Sequence, residues 1–387
     1  MANIGLIDSI KRGIATLGSR KMYLFGMVVV PLMVCALFAG MLEPGLPLKV
    51  PTAIVDLDHS PMSRELTRNL NATELVDISL HLESYDAAMR AVRQGKVYGF
   101  FVIPDNFERD VLAGRKPTLD FYDNLTYFIP GTLAFKGFKT VAVTTAAGVA
   151  HTKLENAGLA NMVGAGLLQP VNVQEHTIGN PWMNYSIYLS PSFCFGALAL
   201  MIFLMTTFSI TMEIKNGTSP EWLARAKGNM SVALTGKLLP QFVVWSVMGQ
   251  FVIALFYCYL HFPCGHIGVI SLAMELFIIA SMAVGVIFAS IVPNPRLAMI
   301  MSALIGILSF SFLGFSFPVQ NMYGAISIFS YLVPTRYMFL TYIFSGLNDF
   351  PIYYSRIYLA ALIVFPLLST LGVWHLKRAC QKPVYVP

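Results

Sequence analysis

Six stretches of this sequence are too long and too apolar for helices packed inside a soluble protein: residues 22–42, 188–212, 232–260, 267–292, 297–317 and 354–376. Crossing the hydrocarbon core of a bilayer takes about 20 consecutive apolar residues. Within lipid, a helix satisfies every backbone N–H and C=O locally. Each stretch is therefore expected to be a transmembrane helix, and six crossings return both termini to one side. With 56% hydrophobic and 12% charged residues among 387, the chain also lacks the polar surface to cover a soluble globule.

The net charge of +6 is explained by where the charges fall. With the termini inside, the inner segments hold Lys11, Arg12, Arg20, Lys21, Lys215, Arg225, Lys227, Lys237, Arg296, Lys377, Arg378 and Lys382, against Asp8, Glu213 and Glu221. This positive-inside bias orients the chain and calls for no nucleic-acid partner. The first stretch has a basic flank like that of a signal peptide. It is longer than a usual signal core and no A-x-A site ends it, so it reads as an uncleaved anchor. Cys35, Cys194 and Cys258 fall in the spans, Cys264 in an outer loop and Cys380 in the tail; residues 43–182 contain no cysteine, so no disulfide framework is expected there.

In residues 1–21, Ile4, Ile7, Ile10, Ile14 and Leu17 recur at helical spacing. The pattern predicts an amphipathic helix, lying in the inner interface or docked on protein; periodicity does not choose between them. Residues 43–182 alternate strand and helix signals. Strands are expected at 52–57, 75–82, 98–103 and 118–123, and helices at 62–70, 85–94 and 107–112. Ser60-Pro61 and Ser84 open two of these helices and Gly114 closes the third. An inserted extracytoplasmic α/β domain follows from this order. A long helix over 129–168 and a further strand over 171–177 complete the expectation.

Sequence chemistry excludes the common enzyme classes. Asp56-Leu57-Asp58-His59-Ser60 begins like a calcium loop, but its sixth and twelfth positions are Pro61 and Thr67 instead of Gly and Glu. Gly13 and Gly18 have phosphate-loop spacing but are followed by Ser19 and Arg20, so no ATP site is expected. His261, Cys264 and His266 read as a turn, not a metal site. No catalytic residue and no metal ligand is assigned. Glu275, inside the fourth stretch, and Arg336, in an apolar segment at 318–350 broken by Pro334 and Gly346, are costly charges in a membrane and candidates by default. That segment is expected to enter the outer half of the membrane and return, with Glu275 and Arg336 pairing or sharing a vestibule.

Residues 213–223 read Glu-Ile-Lys-Asn-Gly-Thr-Ser-Pro-Glu-Trp-Leu. This resembles the E-[RK]-x-x-G-T-x-E-x-L stretch of ABC-2 type transporter permeases, with one residue inserted before Lys215 and another before Glu221. Gly236-Lys237-Leu238-Leu239-Pro240 resembles the family's G-K-L-L-P, and Ser290, Ala298 and Met299 match its next element. The stretches 314–318 and 331–337 resemble its G-x-x-F-P and Y-L-x-P-x-x-Y elements. Arg336 departs from the family, which more often has an uncharged residue there.

The resemblance implies a membrane all-α bundle of six transmembrane helices with the inserted domain, in the bacterial inner membrane among its lipids. It implies a second permease copy and ABC ATPase subunits, which would hold ATP and magnesium, leaving this chain without a cofactor. ATPase coupling falls to the loop 213–231, through Glu213, Lys215, Gly217, Thr218, Glu221, Trp222 and Leu223. Ser219 and Pro220 are expected to open a short helix there. A substrate path between the second and fifth spans is expected to use Phe193, Met201, Phe203, Met299, Met301, Phe310 and Phe312. The large outer domain suggests a periplasmic adaptor and an outer-membrane duct by family analogy. The function expected is export of an amphipathic or hydrophobic compound, such as a drug or lipid. Export of a polysaccharide or glycolipid, or a membrane sensor, are the alternatives; the tail 377–387 leaves a sensor no signalling domain.

Overall fold

The computed structural model describes residues 2–156, 179–181, 183–315 and 317–383. The expected strand at 171–177 and the end of the long helix lie outside them. By internal contacts the chain divides into two compact units, Leu46–His176 and the remainder, Met1–Gly45 with Thr177–Pro387.

The chain starts with α1 (Ala2–Ser19) and α2 (Lys21–Met41), the latter containing a π-helical turn at Phe25–Val29. The first unit then follows, in the order β1 (Val50–Asp56), α3 (Pro61–Ala72), β2 (Val76–Leu82), α4 (Tyr85–Arg93), β3 (Gly99–Ile103), α5 (Phe107–Leu112), β4 (Asp120–Asp123) and α6 (Phe128–Asn156). The strands form one sheet ordered β2-β1-β3-β4, with β1 parallel to both β2 and β3 and β4 antiparallel to β3. Period-two alternation covers both faces. Ile54 and Phe101 pack with Leu66, Leu70 and Phe138 on one side, while Ala53, Val55 and Phe100 pack with Ala88 and Ala91 on the other. The helix starts are those read from sequence: Ser60 Oγ accepts from the Ser63 N–H at 3.0 Å and Ser84 Oγ from the Ala87 N–H at 3.3 Å. Asp56 accepts from the N–H groups of Asp58 and His59, and Asp58 from that of Glu108, so these carboxylates close turns.

The second unit continues with α7 (Tyr185–Lys215), α8 (Ser219–Arg225), α9 (Met230–Tyr259), α10 (Ile267–Ile291), α11 (Pro295–Ser311), α12 (Gly324–Ser330), α13 (Pro334–Thr341) and α14 (Ile352–Gln381). Helices α2, α7, α9, α10 and α14 are long and apolar enough to cross a membrane. The structure shortens the helix expected over 297–317. Helix α11 has 17 residues and stops at Ser311. Gly314 then turns at φ +97°, a conformation that favours glycine, and Pro318 follows. Helix α7 is the buried axis of the unit and is apolar on nearly all sides. Helix α11 runs antiparallel along it at close range: the Phe310 ring lies over Gly196, and Leu200 lies over Gly306.

Helix α1 packs one face against protein. Its docked face is the small-residue stripe Gly5, Ser9 and Gly13, with Gly5 set against Arg225 and Lys227 and the other two against α9. A Cβ on Gly13 would stand 2.6 Å from the Gly236 carbonyl oxygen, and one on Gly236 would run into Ser9. The backbones touch because neither glycine has a side chain. Ile7 and Ile14 are left exposed.

Candidate functional site

Helix α7 ends in a charged residue where its apolar run gives out. Glu213 is buried there, its side chain 7% exposed, in the last turn before Gly217 reverses the chain at φ +68°. An isolated carboxylate in such a place would cost several kcal/mol. Three donors satisfy it. Lys237 Nζ on α9 lies 2.6 Å from Oε1, Arg12 Nη2 on α1 lies 3.0 Å from Oε2, and the Thr218 hydroxyl donates to the same Oε2. Arg12 also donates to the Thr218 carbonyl at 3.4 Å. Lys237, with a side chain 4% exposed, is further covered by the Trp222 ring, 5.1 Å from Nζ. Three segments far apart in sequence are thus bolted through one carboxylate.

Helix α8 lies directly on this cluster. The Trp222 indole N–H donates to the Ala233 carbonyl at 3.2 Å, and Ser219 Oγ donates to the Cys380 carbonyl at 2.9 Å. One expectation is corrected. Ser219 is not the helix cap: Thr218 stands at that position and makes no cap bond, its hydroxyl being committed to Glu213. Trp222 and Leu223, among the residues assigned to coupling, are 1% and 5% exposed and belong to the core beneath the helix. The exposed face carries Lys215, Gly217, Pro220, Glu221, Ala224 and Arg225, with Glu221 and Arg225 paired at 2.8 Å. Sequence reading missed Arg12 and the role of Lys237. Lys237 carried a signal, as a cation within the Gly236–Pro240 motif 24 positions from Glu213, whereas Arg12, in the middle of α1 and 201 positions away, carried none.

At the opposite end of α7 the path residues divide. Phe193 stacks on Phe38 of α2 at 4.8 Å, meets Phe315 edge-on at 5.3 Å and lies 6.3 Å from Phe310. Phe312 meets Phe329 at 5.5 Å. Met201, Met299 and Met301 are half-buried against the main core. Phe203 is 0% exposed and packs edge-on to Phe288 at 6.1 Å. Phe38, Phe315 and Phe339 join the aromatic group, brought there by contacts across α2 and the segment after α11.

Glu275 and Arg336 do not meet. Glu275 Oε1 accepts from Ser246 Oγ at 2.8 Å and Gln250 Nε2 at 2.6 Å, and Ser271 Oγ donates to Gln250 Oε1 at 2.7 Å. The carboxylate is held in a polar ladder between α9 and α10. Arg336 instead donates through Nη1 to the Leu313 carbonyl at 3.3 Å and stacks over the Tyr331 ring at 4.6 Å. The expected ion pair is replaced by separate partners because α10 and α13 present the two side chains to different neighbours. An apolar cleft of about 420 Å³ opens elsewhere between α9, α10 and α14, lined by Leu234, Leu238, Phe242, Met282 and Val286 among others.

Comparison with curated proteins returns no match. The ABC-2 family transporter protein model matches residues 21–374, a range that takes in the sheet unit and the Glu213–Lys237 pair but not Arg12 on α1. With several membrane-crossing helices and nearly its whole length matched, the chain is a multi-pass membrane protein that belongs to the ABC-2 transporter family.

Proposed function

We propose that the chain is the permease subunit of an ATP-driven exporter that moves an amphipathic or hydrophobic compound out of the cytoplasm or the inner membrane. One observation carries the reading: the buried Glu213–Lys237–Arg12 cluster joins α7, α9 and α1 directly under the exposed face of α8. A force applied to Glu221 and Arg225 by an ATPase subunit would reach the central helix through a closed ionic joint instead of a soft loop. Lys215, Gly217, Thr218, Trp222 and Leu223 then act as frame, and Pro220, Glu221, Ala224 and Arg225 as the docking face.

The reading includes six crossings, with α11 as the short fifth. Support comes from its antiparallel course beside α7 and from the Tyr188 hydroxyl, which donates to the Phe315 carbonyl at 2.9 Å beyond the end of α11. Both termini and α8 are then cytoplasmic, the sheet unit is extracytoplasmic, and 318–350 is the outer re-entrant segment. The aromatic and methionine side chains around Phe193, Phe310 and Phe312 would offer an adaptable apolar wall, completed by a second permease copy. A periplasmic adaptor and outer-membrane duct belong to the same proposal.

Labelling with a membrane-impermeant maleimide tests the orientation. A cysteine at Asn106 should react from outside and one at Gly217 should not; the reverse result rejects the arrangement. Native Cys264 contributes little background, because burial pushes its thiol up to about 11 and keeps it protonated. Coupling is tested by substrate-stimulated ATP hydrolysis in the assembled transporter, which Glu221→Ala with Arg225→Ala should reduce without loss of membrane insertion.

A further inference from the structure

Between Arg296 and Asp349 the chain carries a single charged residue, Arg336. It is 6% exposed, and its charge is met by one carbonyl, that of Leu313, and the face of Tyr331. Its Nε is buried without a partner. The neighbouring Thr335 hydroxyl, on a residue 0% exposed, is buried without a partner as well. Among the described residues no carboxylate lies within ion-pair distance of this arginine. A guanidinium cannot shed its proton to escape such a site, and charges within membrane proteins are normally paired or open to a water-filled path. Among the described residues nothing supplies the missing negative charge.

The surroundings specify its carrier. The Phe339 ring stands 6.3 Å from Phe315 and 6.2 Å from Tyr188, and Phe315 leads on to Phe193. Phe339 lies one helical turn along α13 from Thr335 and Arg336 and links that turn to this row of rings. We propose that Arg336 and Thr335 hold the carboxylate, sulfate or phosphate group of an amphipathic molecule whose apolar body lies along these rings. A planar guanidinium with a free Nε suits an oxyanion better than a halide or a neutral polar group. The inference rests on the export reading for its meaning as a cargo site, but the binding itself does not depend on it.

The test uses the purified chain in phosphatidylcholine nanodiscs, with oleate and methyl oleate as probes that differ in charge and little else. The wild type should bind oleate roughly tenfold or more tightly than the ester, the size of one charged hydrogen bond. Arg336→Gln should abolish that preference and leave ester binding unchanged, and Arg336→Lys should keep part of it. Equal binding of the two probes by the wild type, or a preference that survives Arg336→Gln, overturns the site. Displacement of oleate by equimolar inorganic phosphate also overturns it, since the apolar body would then contribute nothing. Adding phosphatidylglycerol to the discs separates two sources of the same chemistry. Displacement of oleate marks a resident anionic lipid, and retention marks a cargo. If the Gln variant fails to fold, the two probes on the wild type and the Lys variant still decide. No ATPase is present, so a failed export assay would leave this result intact.

Discussion

Glu213 and Arg336 are both buried charges on the same helical unit, and the unit treats them in opposite ways. Glu213 has a lysine, an arginine and a threonine hydroxyl on its two oxygens. Arg336 has a carbonyl and a ring, with an N–H left over. A charge that is fully matched by its own chain makes a rigid joint, because every displacement loses Coulomb energy in a low dielectric. A charge left unmatched is destabilising until something arrives to match it. The first arrangement suits the transmission of force and the second suits the reception of a ligand, and the predictions below probe that difference.

The largest effect is expected at the joint. Glu213→Gln leaves Lys237 buried without its counter-charge and should cost roughly 3–5 kcal/mol of stability, read as a fall in thermal unfolding temperature. The double variant Glu213→Leu with Lys237→Met should recover most of that loss while substrate-stimulated ATP hydrolysis stays low. Full recovery of both stability and coupling would mean that the cluster is mere packing and that the comparison fails.

Next comes the docking of α1, which delivers Arg12. Gly236→Ala places a methyl group against Ser9, and Gly13→Ala places one 2.6 Å from a backbone oxygen. Overpacking of this kind costs about 1–3 kcal/mol. Each variant should release α1, seen as faster proteolysis after Lys11 and Arg12, and should weaken coupling as Arg12 leaves Glu213. Coupling that persists with α1 released would reduce the joint to its Lys237 half.

These residues also mark what was legible in the sequence. The sheet strands and the caps at Ser60 and Ser84 could be read directly because strand alternation and capping act over a few residues. The apolar spans were legible for the same reason, since their signal is length and local composition. The end of α11 was not: apolarity continues to Phe317, and the helix yields to a backbone turn at Gly314 that composition does not announce. Glu213 was found as a motif residue, yet its partner Arg12 lies 201 positions away, and the burial of Trp222 beneath the helix was not read. The Glu275–Arg336 pairing failed for a related reason. Depth along a helix can be estimated from sequence, but facing direction is set by tertiary packing.

That failure yields a smaller prediction. With Glu275 bound to Ser246 and Gln250, and Arg336 bound to Leu313, the two charges share no partner. The stability changes of Glu275→Gln and Arg336→Gln should therefore add to within about 0.5 kcal/mol. A larger coupling in the double-mutant cycle would restore a link between them and would mean that Arg336 is not waiting for a ligand.

The smallest effect belongs to the sheet unit, where an unmatched charge meets water instead of lipid. Asp123 closes β4, and its Oδ1 is buried without a partner because Gly131 of α6 packs against it. Burial raises its carboxyl above the ordinary value, while a hydrogen bond from the Asn124 backbone works the other way. A folded-state pKa above the unfolded one means that the native unit binds its proton more tightly. Stability is then favoured in acid and declines as pH rises through the raised pKa. At neutral pH the ionised carboxylate should be a mild liability, so Asp123→Asn should slow hydrogen exchange across β3 and β4 relative to the wild type. The difference should shrink as the pH falls through the raised pKa and the wild-type carboxyl regains its proton. A variant that exchanges faster at neutral pH would show that Asp123 is matched after all. The contrast with Arg336 rests on chemistry: a carboxylate can relieve an unmatched charge by taking up a proton, whereas a buried guanidinium cannot shed one.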